Sequence, residues 1–345
     1  MHLQFLGTSG GVPTKSRNVS ALALRPDSGR GWYLVDCGEA TQHQLLRTPL
    51  SLVKLEAILI THQHGDHCYG LPGLLASASM AGRTRPLTIV GPQAIGDFLD
   101  AVKTTTGLHL SFPLAFVDAG TLTGPLELAD FSVEGAALSH GVACYAYAFS
   151  ERHVERKLDR QRLQARGVEP GPLWGRLQQG EDVELADGTR LASAEVLLAG
   201  RRPRKVVIGG DNDTPALLAR LCEGADVLVH EATYTETVVA RLGTDNRHST
   251  AARIAAFAQA QGVPHLLLTH FSPRYGYAPD AASSIADIER EARAQYTGDL
   301  ALADDFAVYS LSREGVLGQS DQGRRPPRHA VLHDATRHND EQGAP

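Results

Sequence analysis

The sequence predicts an α/β protein in which helices cover the sheets, and two observations predict it. Short apolar segments of strand character alternate with helix-forming stretches, and turn residues separate them. Several apolar segments also end on an ionisable residue, which is how α/β enzymes gather a site at one edge of a sheet. Length and composition agree, because 345 residues with 42% hydrophobic and 21% charged side chains are typical of one or two globular domains.

Seven segments are predicted to be strands and three to be helices. The strands are 2–7, 32–38, 55–62, 87–92, 204–211, 225–232 and 265–270. The helices are 41–46, 214–222 and a third that Ser249 caps and that ends before Gly262. Four strands run directly into a residue that binds metals or transfers protons, namely His62, Asp211, Glu231 and His270. The carboxyl ends of these strands are therefore the predicted place of the functional site.

Two regions break the alternating pattern. In 151–180, seven basic residues outnumber four acidic ones and aliphatic side chains are few. This stretch is predicted to be a projecting insertion outside the core, although composition alone favours a simple solvated helical hairpin. The tail, 320–345, is rich in Arg, His, Asp, Gln and Pro and has no apolar period, so it is predicted to be disordered.

Charge and cysteine content narrow the function further. The net charge of −6 argues mildly against a simple non-specific nucleic-acid binder, so any RNA contact is expected from a local patch. The four cysteines form no CxxC pair, which indicates reduced thiols in a cytoplasmic protein. No signal peptide and no apolar run of about 18 residues is visible, so no membrane partner is expected.

The strongest chemical signal is the segment THQHGDH, which begins at Thr61. Its last six residues include three histidines and one aspartate. Imidazole nitrogens and carboxylate oxygens suit zinc and related divalent ions. In a turn after a strand, His62 and His64 face one ion, and Asp66 and His67 face a second. Packing so many titratable groups together is unfavourable unless a cation compensates them, so a metal site is predicted.

Two catalytic ions need more ligands than this turn supplies. His140, Asp211 and His270 are the candidates from elsewhere in the chain, and the last two stand at predicted strand ends. Two ions about 3.5–4 Å apart that share a carboxylate are a common means of hydrolysing phosphate esters. Asp211 is the preferred bridging ligand because it follows its strand directly, and Asp213 is the alternative.

Further motifs lie in order around these residues. They are 5–22 (FLGTSGGVPTKSRNVSAL), 34–42 (LVDCGEATQ), 230–233 (HEAT), 248–250 (HST), 266–275 (LLLTHFSPRY) and Gly171-Pro172 in the charged insertion. Together with the metal motifs, they make residues 1–313 similar to ribonuclease Z, a family of the metallo-β-lactamase superfamily. Two positions depart from the family pattern: Ala40 stands where glycine is usual, and GGDNDT at 209–214 replaces the commoner GDT.

The resemblance implies a fold and a ligand set. The fold is the metallo-β-lactamase fold, a four-layer αβ/βα sandwich with a catalytic domain at 1–313 and an inserted flexible tRNA-binding arm at 150–200. The implied cofactors are two Zn²⁺ per chain, with Mn²⁺ as an alternative. One ion would be held by His62, His64 and His140, the other by Asp66, His67 and His270, and Asp211 would lie between them.

The resemblance also implies an activity. The chain would be an endoribonuclease that removes the 3′ trailer from precursor tRNA, leaving a 3′-hydroxyl on the tRNA and a 5′-phosphate on the trailer. Asp66 would orient or deprotonate the attacking water, and His248, held by Glu231, would protonate the leaving 3′-oxygen. The implied substrate-binding residues are Lys15, Arg17, Gly171, Pro172 and Arg274. The family also implies a homodimer, in which the arm of one subunit presents tRNA to the site of the other.

Two other functions compete with this one. A hydrolase of the same fold that acts on a small phosphodiester or thioester is the first, but such an enzyme has no need of a basic insertion. A non-catalytic RNA-binding subunit is the second, and it predicts a broken ligand set. Every ligand position is filled in this sequence, which argues against the second alternative.

Overall fold

The computed structural model describes residues 1–154, 156–198, 200–242, 247–276 and 283–320. The tail that is predicted to be disordered lies outside these ranges except for Ser320, and Glu155 of the charged insertion also lies outside them. The chain forms two compact units. The first comprises Met1–Phe149 and the chain from Lys205 onward, and the second comprises Ser150–Arg204.

The described residues form seventeen strands and eleven helices. The strands are β1 (His2–Gly7), β2 (Ala21–Arg25), β3 (Trp32–Val35), β4 (Leu55–Leu59), β5 (Leu87–Gly91), β6 (Leu114–Asp118), β7 (Leu126–Glu127), β8 (Phe131–Leu138), β9 (Cys144–Glu151), β10 (Val183–Glu184), β11 (Arg190–Leu191), β12 (Lys205–Ile208), β13 (Val227–Glu231), β14 (His265–Thr269), β15 (Asp299–Leu302), β16 (Val308–Leu311) and β17 (Leu317–Ser320). The helices are α1 (Thr41–Leu45), α2 (Gly65–Cys68), α3 (Leu71–Met80), α4 (Gln93–Thr106), α5 (Arg160–Ala165), α6 (Pro172–Gln179), α7 (Ser193–Val196), α8 (Ala219–Cys222), α9 (Glu236–Leu242), α10 (Ala251–Gln261) and α11 (Ile285–Arg293).

Two large sheets dominate the first unit. The eight-stranded sheet has the order β17-β16-β1-β2-β3-β4-β5-β6, and the seven-stranded sheet has the order β15-β14-β13-β12-β9-β8-β7. Strands β3 to β6 pair in parallel, and so do β12 to β15. The carboxyl ends of the strands in each parallel set therefore meet at one edge of the sheet.

The apolar side chains divide into layers that follow these sheets. One buried cluster lies between the sheets, because it joins Leu3 and Tyr33 of the eight-stranded sheet to Val206 and Val229 of the seven-stranded one. A second cluster packs α3 and α4 on the first sheet, and a third packs α10 and α11 on the second. The order of layers is helix, sheet, sheet, helix, so the four-layer sandwich that the resemblance implied is confirmed.

The predicted strands coincide with observed strands, but one helix cap is wrong. Helix α10 is capped by Thr250, whose hydroxyl accepts the N–H of Arg253, rather than by Ser249. The Ser249 hydroxyl instead donates to the carbonyl oxygen of Asn212, 2.5 Å away. The predicted end of this helix is correct, because Gly262 ends it with a φ of 63°.

Ala40, which stands at the usual glycine position, precedes α1 with a φ of 60°. In this left-handed region a Cβ crowds the following carbonyl, so glycine is favoured. The backbone conformation therefore explains why glycine is usual at this position, and Ala40 adopts the same conformation with some strain.

The second unit folds around an apolar cluster of its own. It contains α5, α6, α7 and the hairpin of β10 and β11. The buried members of the cluster are Leu163, Val168, Leu177, Val183, Leu191 and Val196. The ends of the unit lie together, because the N–H of Glu151 donates to the carbonyl oxygen of Arg204 at 3.1 Å. The Glu151 carboxylate also pairs with Arg201 and Arg204, whose bonds outweigh burial and lower its pKa to about 2.

Two absences hold for the described part of the chain. None of its helices combines the length and apolar character needed to cross a bilayer. Its four cysteines are buried and form no disulfide.

Candidate metal centre

The predicted ligands converge where strands of the two sheets end. His62 and His64 lie in the turn after β4, and Asp66 and His67 lie in the short helix α2 that follows. Three further ligands come after β8, β12 and β14, and they are His140, Asp211 and His270. Within the described residues, these side chains form groups whose ligand atoms lie within 4.8 Å of one another.

Four atoms form the first group of ligands. The Nδ1 atom of His64 lies 3.1 Å from the Nε2 atoms of both His62 and His140. The Oδ2 atom of Asp211 lies 3.8 Å from His62 Nε2 and 3.5 Å from His140 Nε2. Tetrahedral zinc, with bonds of about 2.0–2.1 Å to nitrogen, separates its ligand atoms by roughly 3.3 Å. The spacing of this group fits such an ion.

The second group forms on the other oxygen of Asp211. The Nε2 atoms of His67 and His270 lie 3.2 Å apart, and Asp66 Oδ2 lies 3.4 Å and 3.2 Å from them. Asp211 Oδ1 lies 3.6 Å from His67 Nε2 and 3.4 Å from His270 Nε2. Because each oxygen of Asp211 faces a different group, this carboxylate joins the two.

Hydrogen bonds on the far side of the rings fix the positions of the imidazole protons. His67 Nδ1 lies 2.8 Å from a carboxylate oxygen of Asp36, and His140 Nδ1 lies 2.8 Å from the carbonyl oxygen of Arg247. Both of these oxygens are acceptors only, so each Nδ1 donates a proton. The Nε2 atom of each neutral ring therefore presents a lone pair to its group.

A threonine fixes the tautomer of His270. The Thr233 hydroxyl donates to the Glu231 carboxylate, and it therefore accepts from His270 Nδ1, 2.8 Å away. When both rings are neutral, as metal binding requires, His270 Nε2 and His67 Nε2 face each other across 3.2 Å with no hydrogen between them. Two lone pairs repel at that distance unless a cation lies among them. The donor set of each group therefore fits a divalent metal ion.

Burial and charge favour the metal-binding protonation states of His62, His64, Asp66 and Asp211, whereas the neighbouring carboxylates outweigh burial and raise the pKa of His67 well above its ordinary value. Burial is the main cause that lowers the pKa of His62 and of His64, which favours neutral imidazole. Burial works against the charged forms of Asp66 and Asp211, but the neighbouring histidines outweigh it and hold the pKa of each carboxyl below its ordinary value. Both aspartates therefore remain ionised.

The geometry distinguishes the two candidates for the bridging aspartate. Asp211 is buried and contributes both of its oxygens to the ligand groups. Asp213 accepts a hydrogen bond of 2.7 Å from the Thr214 hydroxyl, and its N–H donates to the carbonyl oxygen of Ser139. Asp213 does not belong to the ligand groups found among the described residues.

Two glycines leave space for the ligands. A Cβ on Gly210 would lie 2.7 Å from both Cys144 Sγ and Thr61 Cβ, so only glycine fits directly before the bridging aspartate. A Cβ on Gly10 would lie 2.6 Å from the ring of His270. The glycine-rich GTSGG and GGD sequences are thus explained by close packing around the centre.

His248 forms a pair with Glu231 beside the ligands. Its Nδ1 atom lies 3.0 Å and 3.2 Å from the two oxygens of the Glu231 carboxylate, and 3.6 Å from Asp211 Oδ2. Glu231 is buried, whereas the His248 side chain is 18% exposed. Burial opposes the charged imidazolium, but Glu231 outweighs it and raises the pKa of His248 to about 9. Since Glu231 occupies Nδ1, the second proton of the ring is carried by Nε2.

A cleft of about 510 Å³ opens over the centre. Its lining comprises Gly10, Gly11, Val12, His64, Asp66, His140, Asp211, Thr233, Tyr234, Arg247, His248, His270, Ser272, Pro273 and Arg274. Arg274 lies over the ring of Tyr234 at 5.3 Å, and its Nε atom donates to the Ser272 hydroxyl. The structure therefore places one predicted substrate residue, Arg274, at the cleft.

The other predicted substrate residues have different surroundings. Lys15 is exposed in the loop between β1 and β2 and is not among the residues that line the cleft. Gly171 and Pro172 are exposed at the start of α6 in the second unit.

Arg17, which was also predicted to bind substrate, has several partners within the first unit. Arg17 is buried, and its guanidinium donates to the Thr8 hydroxyl and to the carbonyl oxygen of Ala303, both at 2.6 Å. It also pairs with Asp304 at 2.7 Å and covers the ring of Phe271. Arg17 therefore anchors the loop between β1 and β2 to the body of the first unit.

Sequence analysis assigned no role to three residues of the site. Asp36 accepts from His67 and from the hydroxyl of Thr61, which in turn accepts from His62 Nδ1 at 3.1 Å. Asp36 comes directly after β3, so the strand-end pattern that identified the other ligands also pointed to it. Thr233 and Arg247 gave no such signal, because they act through contacts with residues distant in sequence or through the backbone.

Comparison with known proteins agrees with this fold and site. The family described as Anti-Pycsar protein Apyc1 matches residues 1–104, which is less than a third of the chain. The ribonuclease Z of Marinobacter nauticus is 50% identical over 321 residues, covering 93% of this chain and 99% of that protein. The short form of human tRNase Z has a TM-score of 0.62 and 25% identity, covering 90% of this chain and all of that one. A metallo-beta-lactamase fold protein of Bacillus subtilis has a TM-score of 0.59 and 20% identity, covering 92% and 99%.

The four-layer fold and the cluster of histidines and aspartates define a metal-dependent hydrolase of the metallo-β-lactamase fold. The relatives narrow this class, because half of the residues are identical over nearly the full length of the matched protein. The chain belongs to the ribonuclease Z family.

Asp36→Asn is expected to weaken metal binding by about 10- to 100-fold, because an amide donates where His67 and Thr61 require an acceptor. Competition with a chelator, followed by analysis of the metal bound per chain, measures the effect. Asp130→Asn is the matched control, since Asp130 accepts from Tyr33 and belongs to none of the ligand groups of the described residues. Equal affinity in the two variants would contradict the role of Asp36.

Proposed function

We propose that this chain is a zinc-dependent endoribonuclease that removes the 3′ trailer from precursor tRNA. The observation that carries the proposal is the pair of ligand groups joined by Asp211, with the Glu231–His248 pair directly beside them. Such a centre suits the hydrolysis of a phosphodiester. Ribonuclease Z relatives at 50% identity and the likeness to tRNase Z support tRNA as the source of that phosphodiester.

Two Zn²⁺ ions are the proposed cofactors. The first would be held by His62, His64 and His140, and the second by Asp66, His67 and His270, with Asp211 shared. Imidazole and carboxylate ligands in roughly tetrahedral spacing favour zinc, and manganese is the alternative. When bound, the ions lower the pKa of the attacking water and neutralise charge that develops on the scissile phosphate.

The residues of the chain would move the protons. Asp66 is ionised and lies at the cleft, where its carboxylate accepts the N–H of Gly11 and can orient or deprotonate the attacking water. His248 would donate the proton on Nε2 to the leaving 3′-oxygen, while Glu231 holds its Nδ1. The products would be a 3′-hydroxyl on the tRNA and a 5′-phosphate on the trailer.

The second unit is proposed to be the tRNA-binding arm. Six of its basic residues form two sets of three in the described part of the chain. Arg162, Arg166 and Arg176 form ion pairs with acidic neighbours of the same unit. The side chains of Arg156, Lys157 and Arg160 are exposed and form no ion pair with a described residue. The second set is therefore available for phosphate contacts, which position a nucleic acid without selecting its sequence.

Other substrate contacts are proposed from the family resemblance and from exposure. Arg274 lies at the cleft, and Lys15, Gly171 and Pro172 are exposed. Homodimerisation, with the arm of one subunit presenting tRNA to the site of the other, is proposed on the resemblance alone. A cytoplasmic location is proposed because the proposed substrate is precursor tRNA.

Cleavage of a 3′-extended precursor tRNA, with both product ends mapped, tests the reaction. Wild-type protein is expected to cut after the discriminator base. His64→Ala is expected to lose one ion per chain and the activity, because its Nδ1 atom joins the first group. His248→Ala is expected to keep its metal and to lose about 10²- to 10⁴-fold in kcat, because it lacks the proton donor.

His43→Ala is the matched control, since His43 is exposed on α1. A precursor that stays intact while a small chromogenic phosphodiester is hydrolysed would contradict tRNA as the substrate and leave the metal centre standing. Full activity in His248→Ala would contradict the proton-donor role.

The triple variant Arg156→Gln, Lys157→Gln, Arg160→Gln is expected to raise KM for precursor tRNA about tenfold or more, because phosphate contacts are lost. The dependence of log KM on log salt should also become shallower by roughly one unit for each lost contact. Turnover of a small phosphodiester should not change. The matched control neutralises the ion-paired set, Arg162, Arg166 and Arg176. An equal rise in KM in both variants would contradict the assignment of the contacts to Arg156, Lys157 and Arg160.

A further inference from the structure

A second cleft lies at the end of the strands opposite to the metal centre. It has a volume of about 490 Å³, and its lining includes His2 and Trp32, the first residues of β1 and β3. Asp36 and His62 instead follow the carboxyl ends of β3 and β4. With about 3.3 Å per strand residue, four or five residues separate the two places by roughly 15 Å. The second cleft is thus distinct from the catalytic one.

Positive charge predominates in the lining of this second cleft. Arg25, Arg30 and Lys54 all contribute to it, and Asp27 is the single acidic residue among the lining residues. Asp27 lies 3.6 Å from the ring of His2. The side chains of the three cations have no ion-pair or hydrogen-bond partner among the described residues. A cleft of this kind attracts an anion.

Arg25 provides the independent evidence for a ligand. Its Nε atom is buried and has no hydrogen-bond partner in the described part of the chain. Burial lowers the pKa of Arg25, and no neighbouring carboxylate opposes that effect. A buried donor without an acceptor is unfavourable in a folded protein, and such groups often belong to sites that bind something else. An anion in the cleft supplies the missing counter-charge.

The rest of the lining indicates the size and character of the ligand. Leu50, Pro26 and Pro49 give the cleft an apolar side. The Trp32 side chain is buried next to this lining, and its indole N–H donates to the carbonyl oxygen of Ser51 at 2.7 Å. Clefts of several hundred Å³ with one apolar side and a few charged groups hold small organic ligands.

We infer that the cleft lined by Arg25, Arg30 and Lys54 binds the phosphate group of a nucleotide, at a place separate from the metal centre. Guanidinium groups bind phosphate through paired, charge-assisted hydrogen bonds, and lysine adds a point charge. The phosphate belongs to a free mononucleotide or to a nucleotide of an RNA strand. This site does not depend on the proposed function of the metal centre.

The sequence contains two tryptophans, Trp32 and Trp174, so Trp174→Phe leaves Trp32 as the only indole reporter. Full-length protein with Trp174→Phe and His64→Ala, kept in a chelator, removes phosphate binding at the metal centre from the signal. Titration with 5′-AMP and with inorganic phosphate is expected to change the Trp32 emission saturably and to raise Tm. Arg25→Gln in the same background is expected to weaken 5′-AMP binding at least tenfold.

Arg25→Gln is also expected to keep or raise Tm without ligand, because it removes a partly buried cation that lacks a counter-charge. Lys54→Gln, an exposed position, serves as a second variant if Arg25→Gln does not fold, and it is also expected to weaken binding. Arg290→Gln, which is exposed and paired with Asp287, is the matched control and should bind as the parent does.

A short single-stranded oligonucleotide distinguishes the two sources of phosphate. Saturation by 5′-AMP but not by the oligonucleotide supports a free nucleotide, and saturation by the oligonucleotide supports an RNA strand. Either result requires that Arg25→Gln or Lys54→Gln weaken the response. An unchanged Trp32 emission with all three probes, or an equal response in the parent and in both variants, overturns the inference.

Discussion

Mutual repulsion among unshared electron pairs is the constraint on which the rest of this structure depends. Five imidazole nitrogens and two carboxylates meet in the ligand groups, and hydrogen bonds to Asp36, Thr233 and the Arg247 carbonyl oxygen direct three of the ring protons away from them. A protein gains nothing from that arrangement unless cations lie there. The surrounding residues therefore orient the lone pairs of the ligands towards two candidate metal positions. Asp211 faces both positions, one with each carboxylate oxygen.

The fold meets this constraint through the ends of its strands. In each sheet the parallel strands direct their carboxyl ends to one edge, and six of the seven ligands follow those ends within a few residues, whereas His140 follows β8. Local strain accompanies the arrangement: Asp36 and His270 both have φ near 60°, a region that non-glycine residues seldom adopt. Gly10 and Gly210 provide space that any side chain would fill. Strain and close packing thus concentrate where the function lies.

The sequence predicted the strands and the convergence of the ligands, because apolar segments that end on ionisable residues are a local pattern. It preferred Asp211 as the bridging ligand but kept Asp213 as an alternative, since the positions of two neighbouring loop residues depend on contacts that the sequence does not show. It gave no sign that Arg17 is buried, because a basic residue in a loop resembles a phosphate contact until its partners Thr8, Ala303 and Asp304 are known. It also gave no sign that the sparse aliphatic residues of the second unit form a core, because they are dispersed along a charged stretch.

Anomalous scattering from crystals of the zinc-loaded protein tests the central claim most directly. The account predicts two peaks per chain about 3.5–4 Å apart. One should lie among His62, His64 and His140 and the other among Asp66, His67 and His270, with Asp211 bound to both. A single peak, or two peaks that share Asp213 instead, would contradict the account.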